Sequence, residues 1–182
     1  MVKEIIGHIG KRLHEQNSVF DDWAAGAIVY DGKVVIDHPI EKENVGISDV
    51  RGISFYIRHN GNYQYSTGRK QTSDTHYNDI TVPLRLVAFG IKRVNNIDPV
   101  KAERVLANQL LHIDFQNIEG LNSPVEVQLQ SSCVESRRVL TEEISTESRN
   151  PGDRFRGVCI DFYIKFQRPE KEQCLDNNLI LK

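Results

Sequence analysis

The chain has 182 residues, long enough for one domain to bury a sizeable core without disulfide or metal staples, and too short for two full domains. Its 23 basic and 25 acidic residues nearly cancel, so no overall field draws it to nucleic acid or to an anionic membrane. No apolar run approaches the roughly 20 residues needed to cross a bilayer, and the start reads as an amphipathic helix rather than a signal peptide, which leads us to expect a chain made in the cytoplasm.

In chain order, Val2, Ile5, Ile6, Ile9 and Leu13 recur at three- and four-residue steps, which predicts an opening helix over Met1 to Leu13 with one narrow apolar stripe. Ala27 to Ile36 reads as two short strands, with Asp31-Gly32 as the tight turn because both central residues of such a turn need positive φ. Arg51 to Arg58 alternates, with Ile53, Phe55 and Ile57 on one face and Ser54, Tyr56 and Arg58 on the other. Asn60-Gly61 then predicts a hairpin into Tyr63 to Ser66. Thr67 to Asn78 is almost devoid of apolar residues and reads as an exposed loop and candidate contact surface, carrying Arg69 and Lys70.

The organising stretch is Asp79 to Ile113. From Ile80 to Ile91 the run begins one-sided and becomes apolar on both faces, the pattern of a central strand. Asp98 and Pro99 are an N-cap and a first helical residue. In the helix to Ile113, Ala102, Val105, Leu106, Leu110 and Ile113 form one stripe, to be laid on a sheet. Val125, Val127, Leu129, Ser131 and Cys133 alternate with polar residues, so that strand should have one wet face. Val158, Ile160, Phe162, Ile164 and Phe166 define the last strand, which Pro169 stops. Between these strands, Thr141 to Arg154 is polar and longer than a hairpin needs, and should project as an arm. The expected fold is α+β: an antiparallel-rich sheet with two main helices packed on it, a small hairpin and a long projecting loop, in a single domain over residues 1–168 with a tail over 169–182.

A search for chemistry returns little. There is no phosphate-binding glycine loop, no HExxH, no GxSxG and no pair of histidines at ligand spacing on a helix, so no cofactor and no catalytic residue is expected. Asp74, His76 and Asp79 are the nearest approach to a metal cluster, and three such residues in a polar loop arise often by chance. His112 is placed to sit beside the last carbonyls of its helix. Cys133, Cys159 and Cys174 are odd in number and widely spaced, and read as reduced thiols. Tyr56, Tyr63, Tyr65, Arg58, Arg69 and Lys70 interleave aromatics with bases, the composition of a single-strand nucleic-acid surface; equally, tyrosines favour strands and bases favour exposed edges.

Taken together, the opening helix Met1 to Leu13, the strand Gly52 to Arg58, the strand Thr81 to Ile91 with its helix Asp98 to Ile113, and the closing pair Val125 to Val139 and Phe155 to Phe166 resemble the tail-terminator and neck-ring proteins of tailed bacteriophages. The resemblance is a pattern of elements over most of the chain. It implies a non-enzymatic virion protein, made in the host cytoplasm, that forms a homo-oligomeric ring (a hexamer or dodecamer) at the tail end or neck. Such a ring joins the head connector to the tail and meets neighbouring connector, portal-side or tail proteins, with nucleic acid at most passing through its lumen. On this reading Arg69, Lys70, Glu142, Glu143, Arg149 and Arg154 are candidates for subunit or partner contact. The hairpin Ala27 to Ile36 and the arm Thr141 to Arg154 depart from the smaller members of that family. The alternative is a nucleic-acid-binding α+β module.

Overall fold

The structure is a computed structural model that describes residues 1–17, 22–25, 27–30, 33–37, 44–46, 53–66, 77–91, 98–116, 118, 121, 123–134 and 155–169. Within these, the elements in chain order are α1 (Val2–Gln16), β1 (Asp22–Ala25), β2 (Ala27–Tyr30), β3 (Lys33–Asp37), β4 (Asn44–Gly46), β5 (Ile53–His59), β6 (Gln64–Ser66), β7 (Tyr77–Ile91), α2 (Pro99–Leu111), β8 (Glu126–Cys133) and β9 (Phe155–Pro169). The fold is α+β, as the sequence predicts. The predicted projecting arm, Thr141 to Arg154, lies outside the described residues.

The main sheet has the order β1-β5-β7-β9-β8, with β6 also on β7; every pairing is antiparallel except β1 with β5. Its axis is the ribbon of β7 and β9, 15 residues each and in register from Tyr77↔Pro169 to Ile91↔Phe155, so about 50 Å long. A smaller sheet, β2-β3-β4, is antiparallel, and the Tyr30↔Lys33 register leaves Asp31 and Gly32 between its first two strands, as the Asp-Gly signal requires.

Both helices lie on one face of the main sheet, α1 against β1 and β5, α2 against β8 and β9, and they touch each other. Ile5, Ile9 and Leu13 of α1 and Leu106 and Leu110 of α2 are buried on Phe55 and Ile57 of β5, the even-numbered residues from Ile80 to Ala88 of β7, and Val158 to Phe166 of β9. The period-2 strands meet the 3.6-period helices along this one layer, which is why each stripe in the sequence is narrow. α2 begins as expected: the Asp98 side chain accepts from the Val100 N–H at 3.0 Å, with Pro99 next. At its other end, His112 Nδ1 lies 2.8 Å from the Asn108 carbonyl. The helices are also joined side by side, the Asn17 amide donating to Gln109 Oε1 at 2.7 Å.

Three expectations change. First, Asn60-Gly61 does not reverse the chain. β5 and β6 run in the same direction along β7, on Leu84–Gly90 and Asp79–Thr81 respectively, and residues 60–63 form a break between them. The reason is Pro83. A strand residue points its N–H and C=O to the same side, and the Pro83 carbonyl accepts from Asn60 N at 2.9 Å, so the side lacking an N–H faces the break. Gly61 follows at φ +134°, and a Cβ there would come within 3.3 Å of Pro83 Cγ. Second, β7 starts at Tyr77, inside the segment read as loop, because Tyr77 and Asn78 pair with Pro169 and Arg168. Third, Val105 sits at the margin of the α2 stripe and is 40% exposed.

Candidate functional site

The sheet face away from the helices is the less expected one. Register across the strands makes two adjacent rows there. One is Tyr56–Val87–Cys159–Cys133, and the next is Arg58–Arg85–Asp161–Ser131. Tyr56, Val87 and Cys159 are buried, so the sheet is covered at its centre on this side too.

β8 reaches these rows only through an irregularity. Up to Leu129↔Phe162 its apolar residues share the helix face, but between Leu129 and Ser131 the register shifts by one residue. Gln130 is the extra residue, and beyond it parity reverses. Ser131 and Cys133 therefore leave the face of Val127 and Leu129, where strict alternation puts them, and join Asp161 and Cys159.

Asp161 is the polar centre. Its Oδ1 accepts from Arg85 Nε at 2.6 Å and Asn60 Nδ2 at 2.9 Å; its Oδ2 accepts from Arg85 Nη2 at 2.9 Å and Ser131 Oγ at 3.0 Å. A carboxylate has about four acceptor positions, and four donors fill them. The Arg85 and Asp161 side chains are only 16% and 13% exposed. A carboxylate so occupied is not a general base; it is a tie between β7, β8, β9 and the break after β5.

What the tie positions is an exposed aromatic elbow. Asn60, held to Asp161 and Pro83, sets the turn from which His59, Tyr63 and Tyr65 emerge. The His59 and Tyr63 rings lie 5.4 Å apart and Tyr63 meets Tyr65 edge-on at 6.5 Å, with Tyr63 Oη 3.4 Å from His59 Nε2. Tyr65 is 62% exposed and all three residues of β6 face solvent. Partial burial lowers the basicity of His59, and burial together with the neighbouring Tyr65 raises the pKa of the Tyr63 phenol.

The aromatic and basic residues singled out from the sequence are thus divided. Tyr63 and Tyr65 are together and accessible; Tyr56 is fully buried and unavailable for stacking. Arg58 is half-buried, with Nη1 donating to the His59 carbonyl at 2.8 Å. Arg69, Lys70, Glu142, Glu143, Arg149 and Arg154 lie outside the described residues, as do Asp74 and His76. Asp79 accepts from the Gln167 side-chain amide at 2.9 Å. Among the described residues no group of three His, Cys, Asp or Glu is placed to hold a metal, and no helix is long and apolar enough to cross a membrane. The Asp161 tie was not singled out from the sequence, although Arg85 and Asp161, opposite charges each flanked by large apolar residues (Leu84 and Leu86, Ile160 and Phe162), were its signal.

No protein-family model matches the chain, and no curated protein matches its sequence.

Proposed function

We propose that this chain is a structural virion protein of a tailed bacteriophage, forming a homo-oligomeric ring at the tail end or neck between head connector and tail. The observation that carries the proposal is the order and layering of elements. An opening helix, a strand, a long central strand with its helix, and a closing strand pair place both helices on one sheet face and leave β1 and β8 as terminal strands, each with one described partner in that sheet. Terminal strands and an exposed elbow suit heterologous contact between copies, and such contacts close into a ring when the rotation permits. A role in assembly also accords with an Asp161 cluster whose hydrogen-bonding capacity is spent on the fold.

The test is the oligomeric state. Light scattering and electron microscopy of the purified protein, alone and mixed with the products of neighbouring genes, should show rings or their incorporation into connector or tail. A monomer that joins no particle under any of these conditions overturns the reading.

One observation favours a second reading, a nucleic-acid-binding module: Tyr63 and Tyr65 offer adjacent accessible rings of the kind on which bases stack. The two readings separate on salt. Oligonucleotide binding that weakens steeply with ionic strength, and falls further in Tyr65→Ala, belongs to the second.

A further inference from the structure

Cys133 of β8 and Cys159 of β9 stand directly opposite each other in register, and both are thiols. Their pairing depends on the Gln130 irregularity. Without it Cys133 would share the face of Val127 and Leu129, on the other side of the sheet from Cys159. We propose that these two residues form a thiol–disulfide exchange site that takes small disulfides of the glutathione class and closes into a cross-strand bridge.

The register puts the two backbones within the reach a disulfide needs. Directly opposed residues of an antiparallel pair have Cα atoms about 4.5 or 5.5 Å apart, and a disulfide spans Cα separations of about 4.4 to 6.8 Å. The two cysteines differ in access, which orders the steps: Cys133 is half-buried, whereas Cys159 is 4% exposed. The Cys133 thiolate attacks one sulfur of glutathione disulfide. The S–S bond breaks, a mixed disulfide forms on Cys133, and one glutathione thiolate leaves and takes up the proton. The Cys159 thiolate then attacks the Cys133 sulfur and expels the second glutathione. The protein loses two electrons and two protons, and one glutathione disulfide becomes two thiols.

The bridge would tie the two ends of the connection 134–158 at its base, and that connection carries Glu142, Glu143, Arg149 and Arg154. The exchange chemistry does not depend on the ring reading, and either can fail without the other.

The full chain, first reduced, is equilibrated in glutathione buffers of rising oxidised-to-reduced ratio, alkylated, digested without reduction and weighed. The expected result is one two-electron transition that joins the Cys133 and Cys159 peptides with loss of two hydrogens. It should be unchanged in Cys174→Ser and absent in Cys133→Ser. Cys159→Ser should stop at a glutathione adduct on Cys133. A wild-type chain that accumulates the adduct without a bridge, that bridges through Cys174, or that keeps both thiols in glutathione disulfide alone overturns the proposal.

Discussion

Arg85 and Asp161 meet side-on across β7 and β9, Nε to Oδ1 at 2.6 Å and Nη2 to Oδ2 at 2.9 Å. This fork-to-fork pair is the one place where the apolar ribbon carries opposite charges directly opposite each other. Both irregularities of the sheet serve it. The break after β5 supplies Asn60 and the extra residue of β8 turns Ser131 toward it.

Removing one member should therefore cost more than removing both. Asp161→Ala takes the paired carboxylate away from a largely desolvated guanidinium and leaves Asn60 and Ser131 without their acceptor, and is expected to destabilise the fold by about 3 kcal/mol. The double change Arg85→Met with Asp161→Leu removes both charges of the pair and should recover part of that loss. Urea denaturation of wild type, Asp161→Ala, Asp161→Leu, Arg85→Met and the double variant checks this. Additive losses in the double variant would contradict the tie.

The helix layer makes a second, independent prediction. Leu110 is fully buried against the sheet, and Val105 on the same helix is 40% exposed. Leu110→Ala should cost about 2–5 kcal/mol, whereas Val105→Ala should stay within about 0.5 kcal/mol. Equal midpoints for the two variants would show that α2 is not seated as described.

Much of this layer was legible in the sequence because burial there follows simple periods. The alternation of β7 and β9, the cap at Asp98 and the stripe through Leu106 and Leu110 each have one physical solution. The back face was not legible, because its content depends on departures from period. Nothing in Gln128-Leu129-Gln130-Ser131 marks which residue is extra, so Ser131 and Cys133 were placed on the wrong face by strict alternation. Asn60-Gly61 reads locally as a hairpin turn, and only the partner strand, with Pro83 facing the break, shows why the chain runs on. Tyr56 looked like a companion of Tyr63 and Tyr65 for the same reason: sequence proximity does not reveal that the break separates a buried ring from exposed ones.

The elbow carries a pH dependence of defined sign. Burial holds the pKa of His59 below its ordinary value of 6.5, so the unfolded chain binds the proton first as pH falls. The contribution is absent well above 6.5; stability declines as pH drops from there toward the folded-state pKa, then levels. The ring stays largely in water, so the effect is small, and it should vanish in His59→Gln. Thermal melts of both proteins between pH 7.5 and about 5 test it, and a wild type that gains stability relative to His59→Gln on acidification would refute the sign.

The last prediction bears on the proposed ring. Thr141 to Arg154 carries Glu142, Glu143, Glu147 and Asp153 with Arg149 and Arg154, and its one large apolar residue is Ile144. A segment of that composition gains little from burial in its own domain, so its charged residues are better spent on a neighbouring chain. Among the described residues, the core that holds the domain together is made by α1, α2, β5, β7 and β9. Deleting Ser145 to Gly152 should therefore leave the unfolding midpoint close to wild type while weakening ring formation or attachment to the connector. Tyr65→Ala is the companion variant: its ring is 62% exposed and its loss should be nearly neutral for stability, yet it removes the most accessible anchor of the elbow. If both surfaces meet the next subunit, each variant alone should shift the oligomer toward smaller species at a given concentration, and the combination should shift it further. Sedimentation velocity across a dilution series reads this directly. Variants that assemble as wild type would remove both the arm and the elbow from the interface, and variants that unfold would show that these segments belong to the fold instead.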